Sequence, residues 1–149
     1  SAGGRSASVG GGSTLSGMET AAVAFYEAYQ AAWSSDDEVA LGFLGKVYGG
    51  SVLYHGRQLT TAAILEQKRT FAAQWPKRRF VPRPGNGMHR CSTARVEWSV
   101  FGVVDWAIEN DSGAQQGSAV VELIFNISGD VVTVTAESAR TAHAETAAR

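Results

Sequence analysis

The sequence predicts an α+β domain, three helices packed on a curved, mostly antiparallel sheet, and three observations carry that prediction. First, residues 95–109, RVEWSVFGVVDWAIE, alternate strictly. One face holds Val96, Trp98, Val100, Gly102, Val104, Trp106 and Ile108; the other holds Glu97, Ser99, Phe101, Val103, Asp105, Ala107 and Glu109. Period two marks a strand with one face in a core. Second, three stretches with helical spacing precede it. Third, two further strand-like stretches follow it, separated by turn residues. Two Trp on one strand face need a large apolar partner surface, which the helices supply. The sheet must curl for its apolar face to wrap three helices, and Gly102 stands in mid-strand where a bend is eased.

The elements follow in order. Residues 1–17 are a Gly/Ser/Ala tract with almost nothing to bury, read as a flexible leader or linker. Residues 18–142 form one domain and 143–149 a loose tail. Ser16 and Glu19 have capping-box spacing, and Ala22, Tyr26, Tyr29 and Trp33 follow at helical spacing, widened by Phe25. A second box, Ser35 with Glu38, opens a short helix carrying Val39, Leu41, Phe43 and Leu44, which Gly45, Gly49 and Gly50 break. Residues 51–56, SVLYHG, read as a short strand ended by Gly56. Thr60 or Thr61 caps a third helix with Ile64, Leu65, Phe71, Ala72 and Trp75 on its stripe, and Pro76 stops it. Two prolines confine residues 77–87, KRRFVPRPGNG, to an edge strand and a turn. The Trp-bearing strand ends at a hairpin signal, Asn110-Asp111-Ser112-Gly113. Strands over 117–128 and 131–140 complete the chain.

Composition narrows function by exclusion. The 149 residues suit one domain, and a net charge of -1 gives no global attraction to nucleic acid or anionic membrane. Cys91 has no second Cys in the sequence, so no intrachain disulfide forms. No apolar run approaches membrane-spanning length. Nothing distinguishes an exported from a cytoplasmic location. The basic cluster Lys77-Arg78-Arg79, with Phe80 and Arg83, reads as a charge-protected edge strand in preference to a single-strand nucleic-acid site. His55, His89, His143 and Cys91 have no recognised metal-ligand spacing. Gly10-Gly11-Gly12 precedes no strand–helix pair with a Lys-Ser/Thr, so it is no phosphate loop. Neither metal nor cofactor is expected.

From Glu19 to about Thr141 the pattern resembles the nuclear-transport-factor-2-like superfamily, the cone-shaped α+β barrel shared by ketosteroid isomerase, scytalone dehydratase and polyketide-cyclase-like proteins. The resemblance rests on the Tyr-rich first helix, Val47-Tyr48, the strand Val52-Leu53-Tyr54, His55-Gly56-Arg57, the Ile64-Leu65 helix and the long C-terminal strands. Bacterial members of unknown function are more similar still, through Lys68, Trp75-Pro76, Arg83-Pro84-Gly85 and Val103-Val104-Asp105-Trp106. The resemblance implies a pocket inside the cone, acid–base residues there in the enzymes, and pairing of two copies through the outer sheet face.

The strand faces assigned to the interior, Trp98 to Trp106 and Val121, Leu123 and Phe125, offer no carboxylate and no imidazole. Asp105, Glu97 and Glu122 fall on the other face. The polar candidates near the cone mouth are Tyr26, Tyr29, Tyr48, Tyr54, His55 and Lys68. Lys68 shares the apolar stripe of the third helix; the preferred reading is a stem covering apolar surface with its amine in water. If the amine enters the cone it needs a partner, for which Tyr48, Tyr54 and Glu137 are available. The leading expectation is a non-catalytic domain that binds a small apolar or aromatic ligand or serves association. Its ligand-binding residues would be Tyr26, Tyr48, Tyr54, Lys68, Phe71, Trp75, Trp98 and Trp106. The alternative is a lyase, isomerase or cyclase using Tyr54, His55 and Lys68. Phe101, Val103, Val120 and Ile124 on the outer face predict a homodimer.

Overall fold

The computed structural model describes residues 11–84, 88–92 and 97–146. Residues 1–10 of the leader, Gly85 to Gly87 of the turn and residues 147–149 lie outside these. Helix α1 spans Gly11–Trp33, so it starts ahead of the Ser16–Glu19 box. A Ser caps a helix only where the chain turns away before it, and here the chain stays helical through Ser16. The buried stripe is as expected, with Ala22, Tyr26, Tyr29 and Trp33 all nearly inaccessible. Helix α2 spans Asp37–Val47, and its cap is Asp36, whose carboxylate accepts from Val39 N at 3.1 Å. Ser35 does not cap it because its hydroxyl turns back to the Ala31 carbonyl of α1, 3.1 Å away.

Strands β1 (Tyr48–Tyr54) and β2 (Arg57–Thr60) form a hairpin where the sequence suggested a single strand. Its two-residue turn, His55 (φ 50°) and Gly56 (φ 83°), has both residues left-handed, the geometry that matches strand twist. Thr60 caps α3 (Thr61–Gln74), accepting from Ala63 N at 3.1 Å. The Trp75 amide closes the helix onto the Phe71 carbonyl at 2.8 Å, and Pro76 follows. Strands β3 (Lys77–Pro82), β4 (Met88–Ser92), β5 (Glu97–Asn110), β6 (Gly113–Ser128) and β7 (Val131–Thr146) complete the chain. Asn110 Oδ1 takes the amides of Ser112 (2.8 Å) and Gly113 (3.0 Å), which builds the β5–β6 turn the sequence signals.

The sheet order is β2-β1-β7-β6-β5-β3, with β4 also paired to β5 beyond β3. All pairings are antiparallel except β1 with β7, which is parallel. Residues expected as a loose tail are strand: Ser118 pairs with His143 and Gln115 with Thr146. Two register shifts between β6 and β7, at Ser118/Ala119 and at Ile124/Phe125, bend the sheet around the helices. The core between them contains Trp98, Phe125, Leu44, Ile64, Leu123, Val52, Val100, Val104 and Val134, all inaccessible to water or nearly so. Each such side chain contributes about 1.5–3 kcal/mol by leaving water.

Strand β3 is an edge, as its prolines require, but its basic residues do not act alike. Arg79 is exposed, whereas Arg78 is buried. Arg78 donates to the carbonyls of Trp33 (3.0 Å), Ser35 (2.9 Å) and Trp75 (3.0 Å) and to Asp37 Oδ1 (2.9 Å). Its guanidinium lies 4.5 Å from the Trp33 ring centroid. One side chain thereby ties the ends of α1 and α3 to the start of α2, a role a uniformly exposed basic cluster would not have. No helix among the described residues is long and apolar enough to cross a membrane.

Candidate functional site

The polar centre of the molecule is built from four elements. Helix α1 supplies Tyr29, Gln30 and Trp33; Tyr29 and Trp33 lie one turn apart and so share a face. Helix α3 supplies Lys68, on the buried line Ile64–Lys68–Ala72 at four-residue spacing, with Phe71 beside it. Strand β1 supplies Tyr48 and Tyr54, and β7 supplies Glu137. Lys68 Nζ and Glu137 Oε2 are 3.0 Å apart, with both side chains buried. Glu137 Oε1 accepts from the Tyr48 hydroxyl at 2.5 Å and from the Tyr29 hydroxyl. The two hydroxyls are themselves 2.8 Å apart. The ammonium also lies over three rings, 4.7 Å from the Trp33 centroid, 5.5 Å from Tyr54 and 5.9 Å from Tyr29.

Lys68 is therefore not a solvated amine on an apolar stripe. The stem covers apolar surface as expected, but the amine meets a carboxylate inside the cone instead of pointing out to bulk water. The interior does contain a carboxylate. A period-two count from the buried Val134 puts Glu137 on the outer face. The register shift at Ile124/Phe125 leaves Thr135 without a partner on β6, reverses the phase of β7 and turns Glu137 inward.

Burial alone would raise the Glu137 carboxyl; the Lys68 ammonium and the two tyrosine hydroxyls outweigh it and hold the group below the usual carboxylate range. Burial alone would lower the Lys68 amine, yet Glu137 and Tyr54 raise it above its ordinary value. Burial, with Glu137 adding to it, pushes the hydroxyls of Tyr29 and Tyr48 well up. At neutral pH the centre is thus an ammonium–carboxylate pair clasped by two neutral tyrosines.

This centre stands at one side of a cavity of about 340 Å3. Trp33, Tyr54, Phe71 and Phe80 form its aromatic walls, and Tyr29, Gln30, Gln67, Lys68 and Glu137 its polar surface. His55 stands at the exposed rim, edge-on to Tyr54 with ring centroids 4.3 Å apart. Partial burial and the Lys68 charge lower its imidazole, with Glu137 opposing.

Of the residues expected to bind ligand, Tyr54, Lys68 and Phe71 line the cavity. Tyr48 is hydrogen-bonded behind it. Tyr26 instead donates to the Val121 carbonyl at 2.8 Å. Trp98 is packed completely into the core, and Trp75 is half-buried at the end of α3. Trp106 is half-buried against the core and borders a separate groove with Arg79, Arg83 and Asp105. All three catalytic candidates, Tyr54, His55 and Lys68, meet at the cavity. Gln30, Trp33, Phe80 and Glu137 were not foreseen as walls, although Trp33 stood on the helical stripe and Glu137 among the partners open to Lys68. Among the described residues no group of three or more His, Cys, Asp or Glu is placed to hold a metal. His143 lies apart from His55, facing Glu145 at 3.3 Å, and the side chains of His89 and Cys91 are outside the described residues.

No protein-family model matches the sequence, and no curated protein matches it. Solved structures do. A candidate scytalone dehydratase from Novosphingobium aromaticivorans superposes with a TM-score of 0.73 at 8% identity, covering 92% of this chain and 93% of its own. A candidate calcium/calmodulin-dependent protein kinase II association domain from Xanthomonas campestris gives 0.63 at 9% identity, covering 80% and 84%. This is the nuclear-transport-factor-2-like fold. A Catenulispora acidiphila protein in complex with S-DNPA gives 0.58 at 15% identity over 80% of this chain and 94% of that one. These nuclear-transport-factor-2-like neighbours include both association domains and dehydratases, so the fold does not choose between binding and catalysis; the site has to.

Proposed function

We propose that this domain binds a small, largely apolar aromatic molecule in the cone. The cavity carries the reading. Trp33, Tyr54, Phe71 and Phe80 line a space of about 340 Å3 beside a charge pair already neutralised within itself. An apolar space with a few fixed polar groups suits a small-molecule ligand. A set of bicyclic aromatic probes, followed by 15N-HSQC titration, tests it. Binding should shift the Trp33, Tyr54 and Phe71 resonances and weaken in Phe71→Trp, which narrows the space. Shifts that ignore that variant, or no shift with any probe, refute the proposal.

Acid–base catalysis on such a molecule is the second reading, and His55 favours it. Asn-Gly and Asp-Gly are the usual pairs in such a two-residue hairpin turn, yet here a His with a lowered imidazole stands at the cavity rim. Tyr54 and His55 are its working groups, because Glu137 already accepts three donors and Lys68 is held charged. Exchange of deuterium from the α-carbon of a bound cyclic ketone, lost in His55→Asn, is the signature; absence of exchange leaves binding alone.

We further propose that the outer sheet face pairs with a second copy of the chain. Phe101, Val103, Val120 and Ile124 are half-buried there, and Phe101 and Val120 border a shallow groove with Glu122 and Arg140. A two-fold axis would set Glu122 of one copy against Arg140 of the other around an apolar centre.

A further inference from the structure

A second groove, of about 470 Å3, crosses β3, β5, β6 and β7 and shares no residue with the cone cavity. Strand register sets four of its side chains in one row across the sheet, Arg79–Ala107–Gln116–Glu145. Residues directly opposite on neighbouring strands share a face, so the four rise together. Arg78 and Ile108, next to them in sequence, are buried, so the row turns away from the core. Ala107 and the adjacent Gly117 keep the floor low, and the long side chains of β3 and β7 form the walls.

The charges of the groove are mostly settled within it. Arg83 grips Asp105 with two N–H groups, at 2.9 and 2.8 Å. His143 Nε2 lies 3.3 Å from Glu145 Oε1, which fixes that carboxylate at the β7 wall, and a neutral imidazole leaves its charge intact. Arg79 has no side-chain partner among the described residues, nor has the Gln116 amide. The row therefore presents one cation at the β3 wall, one anion at the β7 wall and an amide between them.

A ligand of one sign is attracted at one wall and repelled at the other; a zwitterion uses both. Its length follows from the sheet. Strands lie about 4.8 Å apart, so three spacings separate Arg79 from Glu145 by about 14 Å, and about 3 Å of contact at each end leaves about 8 Å. An extended chain covers about 3.5 Å per residue, so two or three residues span the gap and a single amino acid does not. We propose that this groove binds a free dipeptide or tripeptide laid across the strands, its carboxylate on Arg79, its ammonium on Glu145 and a peptide group on the Gln116 amide. A guanidinium takes a carboxylate through two parallel N–H bonds, and a Gln side chain offers a peptide group one donor and one acceptor. Capture of both termini recognises a peptide by its ends and not by its side chains.

Alanine, Ala-Ala, N-acetyl-Ala-Ala and Ala-Ala amide, each titrated into the full chain by 15N-HSQC at pH 7, test this. Ala-Ala should shift the backbone amides of Arg79, Ala107, Gln116 and Glu145 and leave Phe71 of the cone cavity unmoved. Exposed ion pairs are weak, so each capped dipeptide should bind about threefold less tightly than Ala-Ala. Alanine, too short to engage both walls, should do no better than the capped forms, and added salt should weaken Ala-Ala most. In Arg79→Gln, Ala-Ala should fall to the affinity of its amide; in Glu145→Gln, to that of its N-acetyl form. Both residues are exposed, so both variants should keep the fold, which their spectra away from the groove will show. Equal affinity of Ala-Ala and either capped form overturns the zwitterion, and equal affinity of Ala-Ala and alanine overturns the span. A preference for free termini that survives both variants overturns the roles of Arg79 and Glu145. Shifts confined to the cone cavity, no shift with Ala-Ala, or concentration-dependent shifts of the four amides without peptide, the sign of a second copy in the groove, each refute the proposal and leave the cone-binding reading untouched.

Discussion

Lys68 and Glu137 are 69 residues apart in the chain and 3.0 Å apart in the cone. Each holds the other's charge in a place where neither would survive alone. Lys68→Met keeps most of the stem's volume but leaves the carboxylate buried with only its tyrosines. Removing one member of such a pair is expected to destabilise by about 3–5 kcal/mol. The double variant Lys68→Met/Glu137→Leu removes the orphaned charge and should recover a large part of that loss. Urea denaturation of wild type and the two variants measures both; equal stability of Lys68→Met and wild type would mean that the pair contributes nothing.

Acid should weaken the fold through Glu137. Its carboxyl is held below its ordinary value of 4.5, so the unfolded chain binds that proton more readily. The stability contributed is present above 4.5 and is lost as pH falls through the lower folded-state value. Glu137→Gln should be less stable at neutral pH and show a flatter acid limb. An unchanged slope below pH 4.5 in that variant would assign acid sensitivity to other groups.

At alkaline pH the tyrosines become reporters. All four, Tyr26, Tyr29, Tyr48 and Tyr54, are raised above their ordinary 10.0, chiefly by burial. A raised folded-state value contributes stability that is complete below 10.0 and lost as pH climbs above it. Absorbance at 295 nm should therefore stay flat through pH 10 and then rise together with loss of near-ultraviolet circular dichroism. A smooth titration centred near 10 in the folded protein would place the hydroxyls in water.

Gly117 faces Trp106 on β5 and Ala144 on β7. A Cβ built there would meet the His143 carbonyl oxygen at 2.1 Å and the Trp106 ring at 2.7 Å. Gly117→Ala must push β7 or the indole away, an overpacking cost of about 1–3 kcal/mol. Thermal unfolding would detect it; a melting temperature equal to wild type would show that the strands give way freely.

Phe101→Glu tests the pairing of two copies. Light scattering should show wild type as a dimer and the variant as a monomer with an unchanged circular dichroism spectrum. A wild type that remains monomeric at high concentration removes the claim.

The fold was legible because its signals are strong and local. Alternation around Trp98, the helical stripe through Tyr29 and Trp33, and Pro76 after α3 each act within a few residues. The site was legible only in part. Tyr54, Phe71 and Lys68 could be placed because their elements could. Glu137 could not, since its direction depends on an extra residue at Thr135 that alternation does not reveal. Ser35 offered a cap but lost the place to Asp36, and Arg78 looked like its exposed neighbour Arg79 because inward and outward residues of a short edge strand carry the same charge. The mark left in the sequence was a charge out of place: a Lys on an apolar stripe, which required a carboxylate somewhere.

The parallel pairing of β1 with β7 joins the first strand among the described residues to the last. During synthesis β1 emerges long before its partner, and Lys68 before its counter-ion. Until Val131–Thr146 leaves the ribosome, the nascent chain exposes an unpaired strand edge and an ammonium with no carboxylate to meet it. Commitment of this domain to its native state is thereby postponed until β7 has been made, and the earlier elements depend on being kept from self-association until then.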